Sequence, residues 1–582
     1  MADGAARTDD SVISILVEEL KNENIQTRIN AIRRLQTIAN SLGPEKTRSK
    51  LLAVLQETLD DEDEVLLTIA EELGSMVEFV GGAAFAHVLL APLEVLAAVE
   101  ETVVREKATE SLVRVAEAMK EEHFVEFWMP VVKRLSSGDW FTPRTSACGL
   151  YSVAYPKVPE ANKAEMRQMY SKLCNDDTPM VRRAAASQLK HLVKQVSADH
   201  IKADLLPPFQ TLAKDDQDSV RLLAVEDCIA IAHVLSKEDA IALILPIVQS
   251  CVADKSWRVR YMVANQFVPL CDVLGQELTR GEFVGHFVKL LSDSEAEVRI
   301  AASTKITGIA AQLELEQIIK HILPCVHDLL TDSSQHVRAA LATDIMGLAP
   351  IVGKDATLQY LLDLFLQLLK DDFPEVRLNI ISNLDKATRI IGIEHLSQHL
   401  MPAIVELAED RQWRVRLAII EYIPGVAREL GIEFFNEKLG NLCFTWLGDS
   451  VYSIREAATA NLKRLTEVFG VEWSQNHIIP GVLGLCSHPT YLYRMTTLFA
   501  ISVLSSVVTS AVIHDTMLPL VIKMASDPVP NIRFNVARTL QAIIPVLDSS
   551  IVQGKVKPVL QKLLEDSDPD VRYFGQQAWA LT

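Results

Sequence analysis

Asp254-Lys-Ser-Trp257-Arg-Val-Arg260-Tyr-Met-Val263 recurs 156 residues later as Asp410-Arg-Gln-Trp413-Arg-Val-Arg416-Leu-Ala-Ile419. That interval is four steps of 39, and the steps between are occupied. Arg182, Arg221, Arg260, Arg299, Arg338, Arg377, Arg416, Arg455, Arg494, Arg533 and Arg572 stand 39 residues apart. Six residues before them come Asp176, Asp215, Asp254, Asp293, Asp332, Asp371, Asp410, Asp449, Asp527 and Asp566, with His488 the one departure, before Arg494. A compact enzyme domain has no physical reason to hold such a register. A stack of repeated helix pairs does, because each unit must pack on the next with the same geometry.

One unit shows the pattern. Ala240, Ile241, Leu243, Ile244, Ile247 and Val248 follow a helical period, and so do Val259, Tyr261, Met262, Val263, Phe267 and Leu270. Asp254-Lys-Ser-Trp257 is the turn between them, and Gly275 ends the second helix. Thr178, Ser256, Ser334, Thr490 and Asp568 lie four residues before their arginines, and their side chains are expected to cap the second helix. Pro179, Pro374, Pro530 and Pro569 follow at the first helical position, where a missing N–H costs nothing. A second set, Pro207, Pro246, Pro324, Pro402, Pro480, Pro519 and Pro558, falls inside the first helix and is expected to bend it.

The recurring Asp and Arg predict a structural ladder from layer to layer: Asp215, Arg221, Asp254, Arg260, Asp293, Arg299, Asp332, Arg338, Asp371 and Arg377 are its central members. The competing reading is a set of exposed pairs, each worth under about 1 kcal/mol. Arg144 and Arg105 continue the beat backwards with a shift of one residue, and weaker units surround Asp60–Leu67 and Asn24–Arg28. The expected fold is all-α: an α-α superhelix, or solenoid, of about fifteen antiparallel helix pairs in a curved arch.

Composition narrows the function. With 49% hydrophobic residues but only 6% aromatic ones, Leu, Ala, Val and Ile fill the core. A net charge of −19 argues against a nucleic-acid backbone as ligand and suits proteins with basic patches. Cys148, Cys174, Cys228, Cys251, Cys271, Cys325, Cys443 and Cys486 form no C-x-x-C pair and read as reduced thiols of an intracellular protein. No secretory leader or membrane span is evident, so a cytoplasmic and nuclear location is expected.

The residue three before each arginine is the exposed tip of its turn. Most tips are small, polar or proline, but three successive units carry Trp413, Tyr452 and Tyr491. Such a row reads as an interface hot spot, the alternative being that each ring folds back on its neighbour's helix. Trp257, with Trp140 and Phe141 in a related turn, suggests a second interface nearer the N-terminus. No catalytic motif emerges: there is no glycine-rich phosphate loop, no G-x-S-x-G and no H-E-x-x-H. Glu394, His395 and His399 are the best metal candidates, but they lack further ligands and read as solvated. No cofactor, metal or small-molecule substrate is expected.

Gly138-Asp-Trp140-Phe-Thr, Asp176-Asp-Thr-Pro179-Met-Val-Arg-Arg183-Ala-Ala-Ala-Ser187, the two Trp-Arg-Val-Arg strings and Pro374-Glu-Val-Arg377-Leu-Asn-Ile-Ile-Ser-Asn-Leu-Asp385 carry a resemblance. Across essentially the whole chain the sequence resembles the scaffold (A, 65-kDa regulatory) subunits of protein phosphatase 2A, built from HEAT repeats. The resemblance implies a non-catalytic scaffold. It implies a flexible N-terminus (1–10), HEAT repeats 1–8 for an interchangeable regulatory B subunit (11–317), connecting repeats 9–10 (318–395), and repeats 11–15 for the phosphatase catalytic subunit (396–582). Trp413, Arg414, Tyr452, Tyr491, Arg494 and Val529 match the catalytic-subunit site. Asp177, Pro179, Met180, Arg183, Trp257 and Arg258 match the regulatory-subunit side, with Trp140 beside them. The alternative is a HEAT-repeat nuclear transport receptor of the importin-β kind. On either reading neither nucleic acid nor membrane is expected as a partner.

Overall fold

The computed structural model describes residues 13–582, apart from the side chains of Ile393, Leu396, Glu429 and Leu430. The segment 1–10, expected to be flexible, lies outside the described residues. Among the described residues there are fifteen successive helix pairs and no β-strand. Packing gathers them into two compact units that divide between Lys305 and Ile306.

In the pair used above, the first helix runs Lys237–Leu243 and Leu245–Val252, the second Trp257–Asn265 and Phe267–Leu274. Val248, Cys251, Val259, Val263, Phe267, Leu270 and Leu274 are buried between them. Burying each large apolar side chain contributes roughly 1.5–3 kcal/mol. The second helices then stack: Asp218–Val234 packs against Pro179–Leu192 on one side and Trp257–Asn265 on the other. In the second unit Trp413–Leu430, Tyr452–Phe469 and Tyr491–Leu504 stack in the same order. Gly431 and Gly470 close two of these helices at φ 79° and 91°, a conformation that side chains with a Cβ avoid.

The prolines of the first helix act differently from a simple bend. Before Pro207, Pro324, Pro402, Pro519 and Pro558 the helix widens into a five-residue π turn, such as Ile201–Leu205 and Ile318–Ile322. It then restarts with proline in its first turn, as in Leu206–Leu212. The restart needs no N–H at that position. The same π turn forms where no proline follows, at Thr47–Leu51, Thr279–Phe283 and Thr357–Leu361, so it belongs to the repeat and proline is accommodated by it.

The charged residues form a ladder. Arg221 donates Nε to Asp254 Oδ2 (2.8 Å) and Nη2 to Asp254 Oδ1 (2.9 Å) in the next layer. Its Nη1 donates to the Asp215 and Asp216 carbonyls of its own turn, at 2.7 and 3.1 Å. The same paired contact joins Arg144 to Asp176, Arg182 to Asp215, Arg260 to Asp293, Arg338 to Asp371, Arg416 to Asp449, Arg494 to Asp527 and Arg533 to Asp566. Arg377 reaches Asp410 through Nη2, and Arg28 reaches Asp61 in the first layers. Arg299 and Asp332 belong to different units. Within its own unit Arg299 holds the Asp293 and Ser294 carbonyls, and Asp332 accepts the Ser334 N–H. These are mostly buried, bidentate contacts, so the exposed-pair alternative fails. Burial would raise the Asp215 carboxyl, but hydrogen bonds from Arg182 and the Gln217 N–H outweigh it and hold the group below the usual range.

The capping expectation is corrected. Thr178, Ser256, Ser334 and Thr490 do occupy N-cap positions, yet their side chains cap nothing. Asp568 alone of that set does, accepting from the Asp570 and Val571 N–H groups. The ladder aspartate takes over elsewhere: Asp254 Oδ1 accepts the Ser256 N–H at 2.8 Å, and Asp176, Asp332 and Asp410 repeat the contact two residues on. This Asx turn fixes the entrance to the second helix while the arginine ties down the turn's carbonyls.

Candidate interaction surface

The turns place one side chain per layer at the start of the second helix. Trp413, Tyr452 and Tyr491 are each the first residue of theirs, on three helices packed in sequence. Tyr452 is 50% exposed and Tyr491 41%. Trp413 is half-buried, with the exposed Arg414 guanidinium 4.6 Å from its ring centre. The two tyrosine rings therefore do not fold away into the core. Val529 is half-buried at the equivalent turn, its N–H held by Asp527. Arg494, which the sequence places both in the ladder and in the binding set, is engaged as a rung. Besides Asp527 it holds the His488 and Pro489 carbonyls.

The first unit carries the other set. Trp140 is 75% exposed, Met180 55% and Trp257 38%. Asp177, Pro179, Arg183 and Arg258 are exposed beside them. Trp257 meets Tyr261 edge-on at 6.4 Å, and Arg258 lies over its ring at 5.7 Å while reaching toward Asp218. Met180 and Arg183 also line a cleft of about 500 Å³ with Arg105, Thr109 and Ser187. The two sets belong to different compact units, so each is a surface in its own right.

Phe85, Phe373 and Tyr573 are exposed aromatics outside the tip column. Phe373 is exposed at the N-cap of Pro374–Ile381, with Arg338 over its ring at 5.2 Å. It lies one residue before the tip, in the column read above for helix caps and not for aromatics. The column four residues before each arginine, where Phe373 is the single aromatic, would have revealed it.

The remaining chemistry is sparse. The His395 and His399 rings lie nearly parallel with centres 6.0 Å apart, and among the described residues no group of three His, Cys or acidic side chains could hold a metal. No described helix is long and apolar enough to cross a membrane. The eight cysteines are free thiols, and burial pushes Cys251, Cys271 and Cys443 up to about 12, which makes them poor nucleophiles.

A HEAT repeat profile matches residues 244–274 and 517–547, two of the helix pairs described above. Those two helix pairs are therefore HEAT repeats in sequence as well as in fold. A profile described as PPP2R1A-like HEAT repeat matches residues 276–353 of this HEAT-repeat chain, and one described as PIK3R4-like, middle domain, matches 352–521. It is 56% identical over 193 residues to the beta isoform of the human serine/threonine-protein phosphatase 2A 65 kDa regulatory (A) subunit. It is 59% identical over 195 residues to the protein phosphatase 2A scaffold subunit of Dictyostelium discoideum. These alignments cover 33% of the HEAT-repeat chain and 32% and 33% of the two relatives, so they span about a third of each. Among solved structures, Kap95p bound to RanGDP superimposes with a TM-score of 0.54 at 14% identity, over 98% of this chain and 83% of that one. Kap121p bound to Ste12p gives 0.56 at 14%, over 92% and 57%. At that identity the likeness to transport receptors is one of fold alone.

Proposed function

We propose that this chain is a non-catalytic scaffold of a protein phosphatase 2A, working in cytoplasm and nucleus. Residues 396–582 hold the catalytic subunit, 11–317 hold an interchangeable regulatory B subunit, and 318–395 connect them. The observation that carries this reading is the 53–59% identity to proteins named as 65 kDa regulatory or scaffold subunits of that enzyme. Exposed aromatic tips in both regions support it, because rigid rings at a turn supply contact area at little entropic cost. Tethering two proteins on one chain raises the effective concentration of whatever the second recruits near the catalytic site of the first.

The direct test is binding of the purified chain to each of two purified proteins, the phosphatase 2A catalytic subunit or a B subunit. Failure to bind the catalytic subunit would reject the reading. Trp413→Ala is expected to weaken catalytic-subunit binding by about 2 kcal/mol or more, roughly thirtyfold, without unfolding the chain. Unchanged affinity by calorimetry would remove Trp413 from the site. Trp257→Ala is expected to impair capture of the B subunit while the complex with the catalytic subunit forms normally. Equal loss of both would contradict two separate surfaces.

A further inference from the structure

The ladder has a rung with no carboxylate. Arg455 holds the Asp449 and Ser450 carbonyls through Nη1, at 2.7 and 3.1 Å, as its counterparts hold theirs. Its other edge, Nε and Nη2, makes no hydrogen bond, whereas in Arg221, Arg416 and Arg494 that edge carries an aspartate from the next layer. His488 stands in the aspartate's place. Its Nδ1 accepts the Thr490 N–H at 3.1 Å, so it does the local work of the aspartate, and its ring lies 4.0 Å from that of Tyr493. It supplies no negative charge to Arg455. The neighbouring carboxylates are engaged: Asp449 by Arg416 and the Val451 N–H, Asp527 by Arg494 and the Val529 N–H. Glu456 follows Arg455 on the same helix and lines the same cleft, but its carboxylate makes no hydrogen bond or ion pair with the guanidinium, whose bonds go to the two carbonyls.

Arg455 is only 8% exposed. The free edge is not sealed from solvent, and a carboxylate placed on it gains the paired, charge-assisted contact that the other rungs make. Arg455 stands beside the row of tips: it lies 5.7 Å from the exposed Tyr452 ring and lines a small cleft with Tyr452, Glu456, Thr496 and Phe499. We infer that Arg455 receives a carboxylate, an Asp or Glu side chain, from the phosphatase catalytic subunit. This rests on the scaffold reading above. The acid enters between the Tyr452 and Tyr491 tips and completes in trans the rung that this chain leaves open. A planar carboxylate is the ligand because the same edge takes one bidentately in the other rungs.

His488→Asp tests this, since it supplies the missing acid in cis from the residue type that the other rungs use. The variant is expected to melt at a higher temperature and to bind the catalytic subunit more weakly, by at least about tenfold. His488→Asn keeps an acceptor for the Thr490 N–H without the charge, and is expected to bind like the natural chain. Arg455→Lys, which keeps a charge but not the fork, is expected to lose about tenfold. If His488→Asp or Arg455→Lys binds as well as the natural chain while Trp413→Ala does not, the inference falls and the scaffold reading stands. Equal losses for His488→Asn and His488→Asp would assign the effect to the imidazole and also overturn it. If the natural chain does not bind the catalytic subunit, both readings fall.

Discussion

Arg221→Leu is expected to cost about 3–5 kcal/mol at the joint between the sixth and seventh helix pairs. The guanidinium is almost fully buried and satisfies four acceptors at once: both Asp254 oxygens and the Asp215 and Asp216 carbonyls. Leucine replaces the stem but none of the donors. Asp254 would stay mostly buried with only the Ser256 N–H to offset its charge, and the two carbonyls would lose their partner. The same logic predicts a rescue. Adding Asp254→Asn removes the stranded charge and keeps an oxygen for the Ser256 N–H, so the double variant should recover half or more of the loss. A stack of repeats does not unfold in one step, so hydrogen exchange should be read on amides of Asp218–Val234 and Trp257–Asn265. Faster exchange confined to that joint, partly restored in the double variant, is the expected result. Equal protection in Arg221→Leu and the natural chain would mean that the ladder carries little of the stability assigned to it.

The ladder was legible because it is written in spacing. An arginine every 39 residues, with an acid six before it, can only become contact 33 residues ahead if layers repeat in space, and Arg182 to Asp215 is that contact. Division of labour inside the turn was not legible. Serine and threonine at an N-cap imply side-chain capping, but here the aspartate two residues earlier claims the cap's own N–H. Ser256 Oγ instead donates to Asp218 in the layer before. The π turns were hidden for a related reason: they form at Thr279–Phe283 and Thr357–Leu361 without any proline, so no residue type marks them. Arg28 with Asp61 was missed because Leu67 breaks the beat in the following layer, so the first rung looks isolated in sequence. For the candidate surface, the tips at 413, 452 and 491 followed from register. The vacancy beside Arg455 was half visible as the His488 exception, and its meaning needed the geometry of the other rungs.

Asp227 shows a case in which the interior works against stability. It lies in Asp218–Val234, is completely buried, and neither carboxylate oxygen has a hydrogen-bond partner. Burial pushes the carboxyl well above the usual range. The Lys190 charge offsets this in part, and Glu226 adds to the rise. The Lys190 ammonium is itself bonded to Glu226 at 2.5 Å. Because the folded state holds the proton more tightly, this group's contribution is fully present below the unfolded value near pH 4, and it is lost as pH rises toward the folded value. The slope in that window is about 1.4 kcal/mol per pH unit. Asp227→Asn has no proton to lose, so its stability should gain on the natural chain as pH rises from 5 to 7. Any cost of burying the amide is a constant offset and leaves this slope alone. Hydrogen exchange of Asp218–Val234 at the two pH values, corrected for intrinsic rates, reads the difference. Parallel profiles for the two chains would show that Asp227 keeps an ordinary affinity for its proton, and that a partner for its oxygens exists in solution.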